Sequence, residues 1–289
     1  MKKAPYLQFA RQADRWVSIR DVSSGLACDC RCPACGGRLL AKKGRRQQHH
    51  FAHYRGIDCA GALETALHQL AKDAIVEKKG LLVPPTVVYR SSVWRAAHWQ
   101  VFREAQAEAP YGGLLLDVLL QTGATLLAVE IKVSHATDLQ KQYRLVRQGM
   151  PAVEIDVRRI YQELLANDQA ADLEALRNAI LQHAACRTWL FNPWQHRYEY
   201  RLAKTATERQ VIISQQGHYP HYHVYRCPLR QRFVRSGFRE GQSYARVFQD
   251  CMPCPHCREI VYQKEWVGFQ QISTFPQVVR CGAAVPAPE

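Results

Sequence analysis

Two apolar runs constrain this chain more than any other feature: Leu114-Leu115-Leu116-Asp117-Val118-Leu119-Leu120 and Leu126-Leu127-Ala128-Val129-Glu130-Ile131-Lys132-Val133. The polar stretch Gln121-Thr122-Gly123-Ala124-Thr125 between them reads as a turn, which predicts two adjacent strands of a hairpin. Both runs are apolar enough to be buried, yet the first carries Asp117 and the second carries Glu130 and Lys132. Residues two apart on a strand share a face, so Glu130 and Lys132 point the same way. A buried charge is costly unless it is paired or bound to a metal. An edge Asp, or an exposed Glu-x-Lys pair, would be ordinary by itself. Together on neighbouring apolar strands they predict a divalent-cation site, with Asp117 and Glu130 as hard oxygen ligands and Lys132 beside them.

The 289 residues suit one large domain or a few small ones. Lys and Arg number 39 against 25 Asp and Glu, and the net charge of +14 predicts a polyanionic partner, nucleic acid before anionic membrane. A merely basic soluble protein would share that charge. No apolar run approaches the length of a membrane span, and no apolar signal core follows Met1-Lys2-Lys3-Ala4-Pro5. The expectation is a cytoplasmic protein without a membrane partner. In that setting eleven cysteines, most of them clustered, predict zinc rather than disulfides.

The N-terminal cysteines sit in a β-rich module over residues 1–61. Cys32-Pro33-Ala34-Cys35-Gly36 has the form of a zinc knuckle, in which the two-residue gap lets both thiolates converge on one ion. The second half comes from His49-His50-Phe51-Ala52-His53 and Cys59. Cys32, Cys35, His53 and Cys59 are the expected ligands, with His50, Cys28 and Cys30 as competitors. The loop Lys42-Lys43-Gly44-Arg45-Arg46 is either a phosphate contact or a solvated hairpin tip.

Residues 62–79 lack glycine and proline and carry an apolar stripe at helical spacing, with Glu64 and His68 one turn apart and Lys72 below them. Gly80 is expected to end this helix. Strands follow at 81–89 and 97–107, then a turn at Pro110-Tyr111-Gly112-Gly113 and the charged hairpin. A helix over 137–149, a strand over 151–157 and a helix over 160–165 complete a core spanning 62–166. A helix crossing over between Val133 and Ala152 implies a parallel pair within a mixed sheet. The fold class expected is α/β (α+β), a mixed sheet flanked by helices, with a zinc module at each end.

The last part, 167–289, reads as a basic zinc-ribbon-like region. It opens with a helix over 170–185; Asn192-Pro193 is expected to turn into a strand, and Cys186 to be an isolated buried thiol. Cys227, Cys251, Cys254 and Cys257 form a second four-cysteine set, with Cys281 as competitor. The two sets predict about two structural zinc ions per chain. Arg230, Arg232 and Arg235, interleaved with Tyr222, Tyr225, Phe233 and Phe238, suit phosphate contact and base stacking, or else form a solvated face around a small zinc core.

In this order the residues resemble the PD-(D/E)xK nuclease superfamily, the restriction-endonuclease-like fold. Glu130-Ile131-Lys132 stands at its (D/E)xK, Asp117 at the acidic residue of the preceding strand and Glu64 at the first-helix glutamate. Leu116 precedes Asp117, so the PD dipeptide itself is absent. Over roughly residues 25–160 the chain is similar to the competence protein CoiA-like nuclease family. That likeness rests on Cys-Pro-x-Cys-Gly, His-Phe-Ala-His, Cys59, then Glu64-Thr65-Ala66-Leu67-His68 with Lys72. The resemblance implies an Mg²⁺- or Mn²⁺-dependent nuclease acting on DNA, in competence, repair or defence. Glu64, Asp117, Glu130 and Lys132 would be catalytic, and His68, His135 and Gln140 accessory. The rival expectation is a zinc-stabilised DNA-binding protein with a nuclease-like but inactive core. A homodimer and a separate partner protein are both open at this stage.

Overall fold

A computed structural model describes residues 6–56, 59–88, 92–167, 169, 172–216, 219–267 and 270–283. The lead Met1–Pro5, Tyr89, Ala170 and His218, where expected elements begin or end, lie outside the described residues. The chain divides into two compact units, Met1–Pro85 with Ala96–Pro193, and Thr86–Arg95 with Trp194–Glu289.

The first unit begins with two antiparallel pairs, β1 (Phe9–Gln12) with β2 (Arg15–Ser18) and β3 (Leu39–Lys42) with β4 (His50–His53). Phe51, Leu39 and Ile19 bury themselves there against Cys28, Cys30 and Cys32. Helix α1 (Ala62–Lys78) follows at once. Its Ala62 and Ala66 pack into that small core, whereas Leu67, Leu70 and Ile75 pack into the larger one behind it. The helix ends on Lys79 in the left-handed conformation (φ 49°) rather than on Gly80. Gly80 instead opens β5 (Gly80–Val83), where a Cβ would lie 3.0 Å from the Gln100 carbonyl oxygen. The glycine is needed for close strand contact, not for the cap.

Strand 81–89 is interrupted. Pro84-Pro85 breaks it, since proline offers no N–H to a ladder, and β6 (Thr86–Val88) pairs with β7 (Ser92–Arg95) in the second unit. The expected strand 97–107 is likewise two, β8 (His98–Val101), which pairs with β5, and β9 (Glu104–Tyr111). Gly112 and Gly113 then take φ of 53° and 78° in the hairpin turn to β10 (Leu114–Thr122). After β11 (Thr125–Lys132) comes α2 (Leu139–Arg147), whose N-cap Asp138 accepts from the Gln140 and Lys141 amides. β12 (Ala152–Asp156), α3 (Val157–Ala166), α4 (Leu173–Gln182) and β13 (Arg187–Phe191) close the unit.

These strands form a five-stranded mixed sheet in the order β13-β12-β11-β10-β9. β11 and β12 are parallel, joined through α2, and their register sets Glu130 beside Glu154 and Lys132 beside Asp156. On one face Val118, Leu120, Val129 and Ile155 pack with α1, α3 and α4. On the other, Leu116, Ala128 and Ala152 pack with Leu145 of α2 and with Met150. Helices therefore cover both faces, as a parallel crossover requires.

The second unit departs from expectation at its start. Asn192-Pro193 opens helix α5 (Pro193–Lys204) instead of a strand, because proline is well placed in a first helical turn, where its missing N–H is not needed. Beyond it, β14 (Thr207–Gln210), β15 (Ile212–Gln216), β16 (Tyr219–Tyr225), β17 (Arg232–Phe233), β18 (Ser243–Arg246), β19 (Cys257–Val267) and β20 (Gln270–Cys281) form two antiparallel sheets. Their orders are β14-β20-β19 and β15-β16-β18-β17, around Val224, Ala245, Val247, Cys251 and Val279. Among the described residues no helix is long and apolar enough to cross a membrane.

One buried bond ties the sheet's helical layer to the N-terminal strands: the Tyr161 hydroxyl lies 2.8 Å from Oε1 of Gln8, both residues being buried. Tyr161→Phe removes the donor and leaves the acceptor dry. Urea denaturation should show a loss of about 1–2 kcal/mol, read as a lower midpoint at unchanged slope.

Candidate functional site

Two sets of side chains converge in the first unit. In the N-terminal one, the ligand atoms of Cys32, Cys35, His53 and Cys59 all lie within 4.8 Å of one another, a group able to hold a metal ion such as zinc. Cys35 Sγ is 3.3 Å from His53 Nε2. The knuckle is shaped by its backbone, with the Gly36 amide bonded to the Cys32 carbonyl and the Cys32 amide to the Gly37 carbonyl. Burial and the neighbouring Cys32 and Cys35 thiols push the Cys59 thiol up to about 11. Burial likewise raises Cys32, whereas the Gly37 backbone amide lowers Cys35, so the set holds both a readily ionised thiol and thiols that resist ionisation. The competitors are otherwise engaged: Cys28 and Cys30 are buried in the core and donate to the carbonyls of Leu39 and Cys28. His50 stacks on Tyr6 at 4.4 Å, with its Nδ1 2.8 Å from the Gln48 carbonyl.

The charged hairpin forms the other set. The β10–β11 register runs from Thr122↔Thr125 to Val118↔Val129 and stops one residue short of Asp117 and Glu130. The side-chain alternation slips there too. Leu114 and Leu116 pack toward α2, but Val118 and Leu120 pack toward α1, so Asp117 and Val118 face the same side. Asp117 consequently meets α1, with Oδ2 3.2 Å from His68 Nε2, and the same oxygen accepts the Ile131 N–H at 2.8 Å. Burial would raise its pKa, but the His68 and Ile131 bonds hold it below the usual carboxylate range.

Glu130 faces α2. Its residue is only 4% exposed, Oε2 is 2.5 Å from Lys141 Nζ, and Oε1 is buried without a hydrogen-bond partner. Burial pushes its pKa up to about 7, the nearby Asp117 charge adds to the rise, and the Lys141 bond offsets only part of it. The lysine charge reaches Asp117 as well. Lys141 was not among the residues singled out by motif. Its signal was positional, three residues after the cap Asp138 and so on the first turn of the crossover helix.

Lys132 does not join these two carboxylates by a bond. The parallel register places it beside Asp156, and their Nζ–Oδ2 distance is 2.7 Å. That hydrogen bond raises the Lys132 pKa, so the side chain stays an ammonium ion. Glu64 bonds the Ser134 hydroxyl, which also lies 2.8 Å from His135 Nδ1. Glu154, the neighbour of Glu130 on β12, accepts the Thr137 amide at 2.6 Å. Gln140 lies on α2 with its amide taken by Asp138.

Of the basic residues, Lys43 is tied to the Arg20 and Val22 carbonyls at 3.0 and 2.8 Å, while Lys42, Arg45 and Arg46 are exposed around the β3–β4 turn. In the second unit Arg230 and Arg235 are exposed, and Arg232 is held bidentate by Asp250 at 2.6 and 2.9 Å. Cys227, Cys251, Cys254, Cys257 and Cys281 line one small cavity of about 20 Å³, the scale of a single bound ion or water. Their sulfurs do not reach the mutual spacing seen in the N-terminal set. Burial pushes the Cys251 thiol up to about 12, with the four other cysteines adding to it. Cys186 is not isolated: its ligand atom lies within 4.8 Å of those of Glu163 and His183.

Residues 26–62 match the family model described as Competence protein CoiA, N-terminal domain. That segment contains Cys32, Cys35, His53 and Cys59 and ends on the first residue of α1, so Asp117, Glu130 and Lys132 lie outside it. No curated protein and no solved structure matches the chain.

Elemental analysis should find zinc bound at the N-terminal set, with the content falling by about one ion per chain in Cys59→Ser. An unchanged zinc content in that variant would remove the N-terminal set as a metal site. The second expectation concerns pH. Glu130 binds its proton more tightly folded than unfolded, so the stability it contributes is complete below pH 4.5 and is lost as pH rises through about 7. That rise is worth about 3 kcal/mol. In melts without divalent cation, wild type should lose stability across this window relative to Glu130→Gln, and added Mg²⁺ should narrow the difference.

Proposed function

We propose that the first unit is a PD-(D/E)xK-type, restriction-endonuclease-like nuclease core that hydrolyses phosphodiester bonds of DNA with a divalent cation held by Asp117 and Glu130. The observation that carries this reading is the orphaned Oε1 of Glu130, buried beside a second carboxylate whose charge raises its pKa. Asp117 is near enough for its charge to raise the Glu130 pKa, and a buried carboxylate oxygen without a hydrogen-bond partner fits a cation that takes carboxylates and phosphate oxygens together. A bound Mg²⁺ or Mn²⁺ would supply an activated water and charge neutralisation at phosphorus.

The chain's own residues then divide the remaining work. His68 and the Ile131 amide orient Asp117 and keep it ionised. Lys141 balances the Glu130 charge. Lys132, kept protonated by Asp156, serves as a fixed positive charge for the scissile phosphate rather than as a base. Glu64, Ser134 and His135 form a polar chain at the start of α1 suited to orienting a water. A Cys₃His zinc sphere leaves no open position, so Cys32, Cys35, His53 and Cys59 serve structure. The match over residues 26–62 supports a competence-related setting.

The binding-only reading has one observation in its favour: both lysines of the site are paired with carboxylates, Lys132 with Asp156 and Lys141 with Glu130. Cleavage of single-stranded, duplex and branched DNA and of RNA, with Mg²⁺ or Mn²⁺, decides between them. Lys132→Ala should cut on the order of 10²-fold more slowly while still binding. If wild type cuts none of these substrates with either ion, the core binds without cleaving.

A further inference from the structure

The second unit carries a cleft of about 390 Å³ on its four-stranded sheet, within the size range of roughly 300–1,000 Å³ typical of ligand pockets. Strand register builds it. His223 and Tyr225 are two apart on β16 and share a face, and the pairing sets them beside Arg246 and Tyr244 of β18. At the sheet edge Phe233, the last residue of β17, lines the cleft together with Val234 and Arg235 that follow it. The rings cluster, with His223 at 4.9 Å from Tyr225 and 5.9 Å from Tyr244. Phe233 stays half exposed at 51%.

Charge in the cleft has one sign. Arg235 and Arg246 line it, the Arg239 guanidinium sits 4.2 Å over the Tyr225 ring, and no lining residue is acidic. His223 adds little charge, because burial lowers its pKa and Arg239 and Arg246 lower it further, and its Nε2 lies 3.0 Å from the Tyr225 hydroxyl. A wholly apolar ligand would leave those guanidinium groups unmatched. A duplex hides its base faces within the stack, whereas an unpaired base presents a ring face, polar edges and an adjoining phosphate.

We propose that this cleft receives an unstacked base of a single-stranded nucleic acid, with Phe233 as the exposed stacking platform and Arg235 as the phosphate contact. The proposal rests on the nucleic-acid reading above and specifies the strand state that the second unit selects. Phe233 is the useful residue to change, because half of its surface is already outside the fold.

The test is fluorescence anisotropy of zinc-loaded full chain without Mg²⁺ or Mn²⁺. The probes are a labelled oligo(dT), an abasic oligonucleotide of equal length and charge, and a duplex. Oligo(dT) should bind tightest. Phe233→Ala should weaken it on the order of tenfold and leave the abasic probe unchanged, and Phe233→Trp should restore it. Arg235→Ala should weaken both single strands and lower the salt dependence by about one counterion. Equal binding of oligo(dT) and abasic probe, tighter binding of the duplex, or no effect of Phe233→Ala overturns the cleft. The nuclease reading fails separately: base-dependent binding with no cleavage under Mg²⁺ or Mn²⁺ removes that reading and keeps this one, and cleavage without base dependence does the reverse.

Discussion

A carboxylate buried where its strand ladder stops is the constraint around which the first unit is arranged. Glu130 sits in the middle strand of the five-stranded sheet, 4% exposed, with one oxygen on Lys141 and the other on nothing. Burial of such a group is expensive enough to draw its pKa to about 7 even with an ammonium ion 2.5 Å away. Asp117 lies across the same break in the ladder and solves its burial differently, through His68 and the Ile131 amide. One carboxylate is thereby held ionised and the other is left short of compensation. On the reading proposed above, a divalent cation would relieve that asymmetry.

The N-terminal module reaches this site through α1. The Ala62 amide bonds the Cys59 carbonyl, so a metal at Cys32, Cys35, His53 and Cys59 would fix the first turn of the helix. Farther along, Asp73 accepts from Arg11 at 2.5 Å and from Trp16 at 2.8 Å, holding the helix to the first hairpin. Glu64 and His68 project from the stretch between these two attachments. The N-terminal set and Asp117 are thus linked through one helix: Cys59 lies just before α1, and His68, nine positions later, meets the Asp117 carboxylate.

Local chemistry was legible in the sequence. The charged hairpin, α1 and the convergence of Cys32, Cys35, His53 and Cys59 all follow from spacing that a strand, a helix or a knuckle imposes within a few dozen residues. What escaped depends on partners far along the chain. Lys132 meets Asp156 because the β11–β12 register is set by the whole α2 crossover. Lys141 reaches Glu130 from α2, the helix whose Leu145 packs on the sheet. The slip in alternation at Asp117 leaves no compositional trace, because leucines occupy both faces. Prolines misled twice, since Pro84-Pro85 divides a strand between units and Pro193 starts a helix.

On the proposed reading, Glu130 is a buried carboxylate whose charge is left for a divalent cation to balance. Carbon-13 NMR of glutamate-labelled protein, titrated with and without Mg²⁺, measures it directly. The account predicts one carboxyl carbon with a midpoint near 7, missing in Glu130→Gln and displaced to lower pH when Mg²⁺ is present. A Glu130 signal titrating in the ordinary carboxylate range, or one that Mg²⁺ does not move, would contradict it.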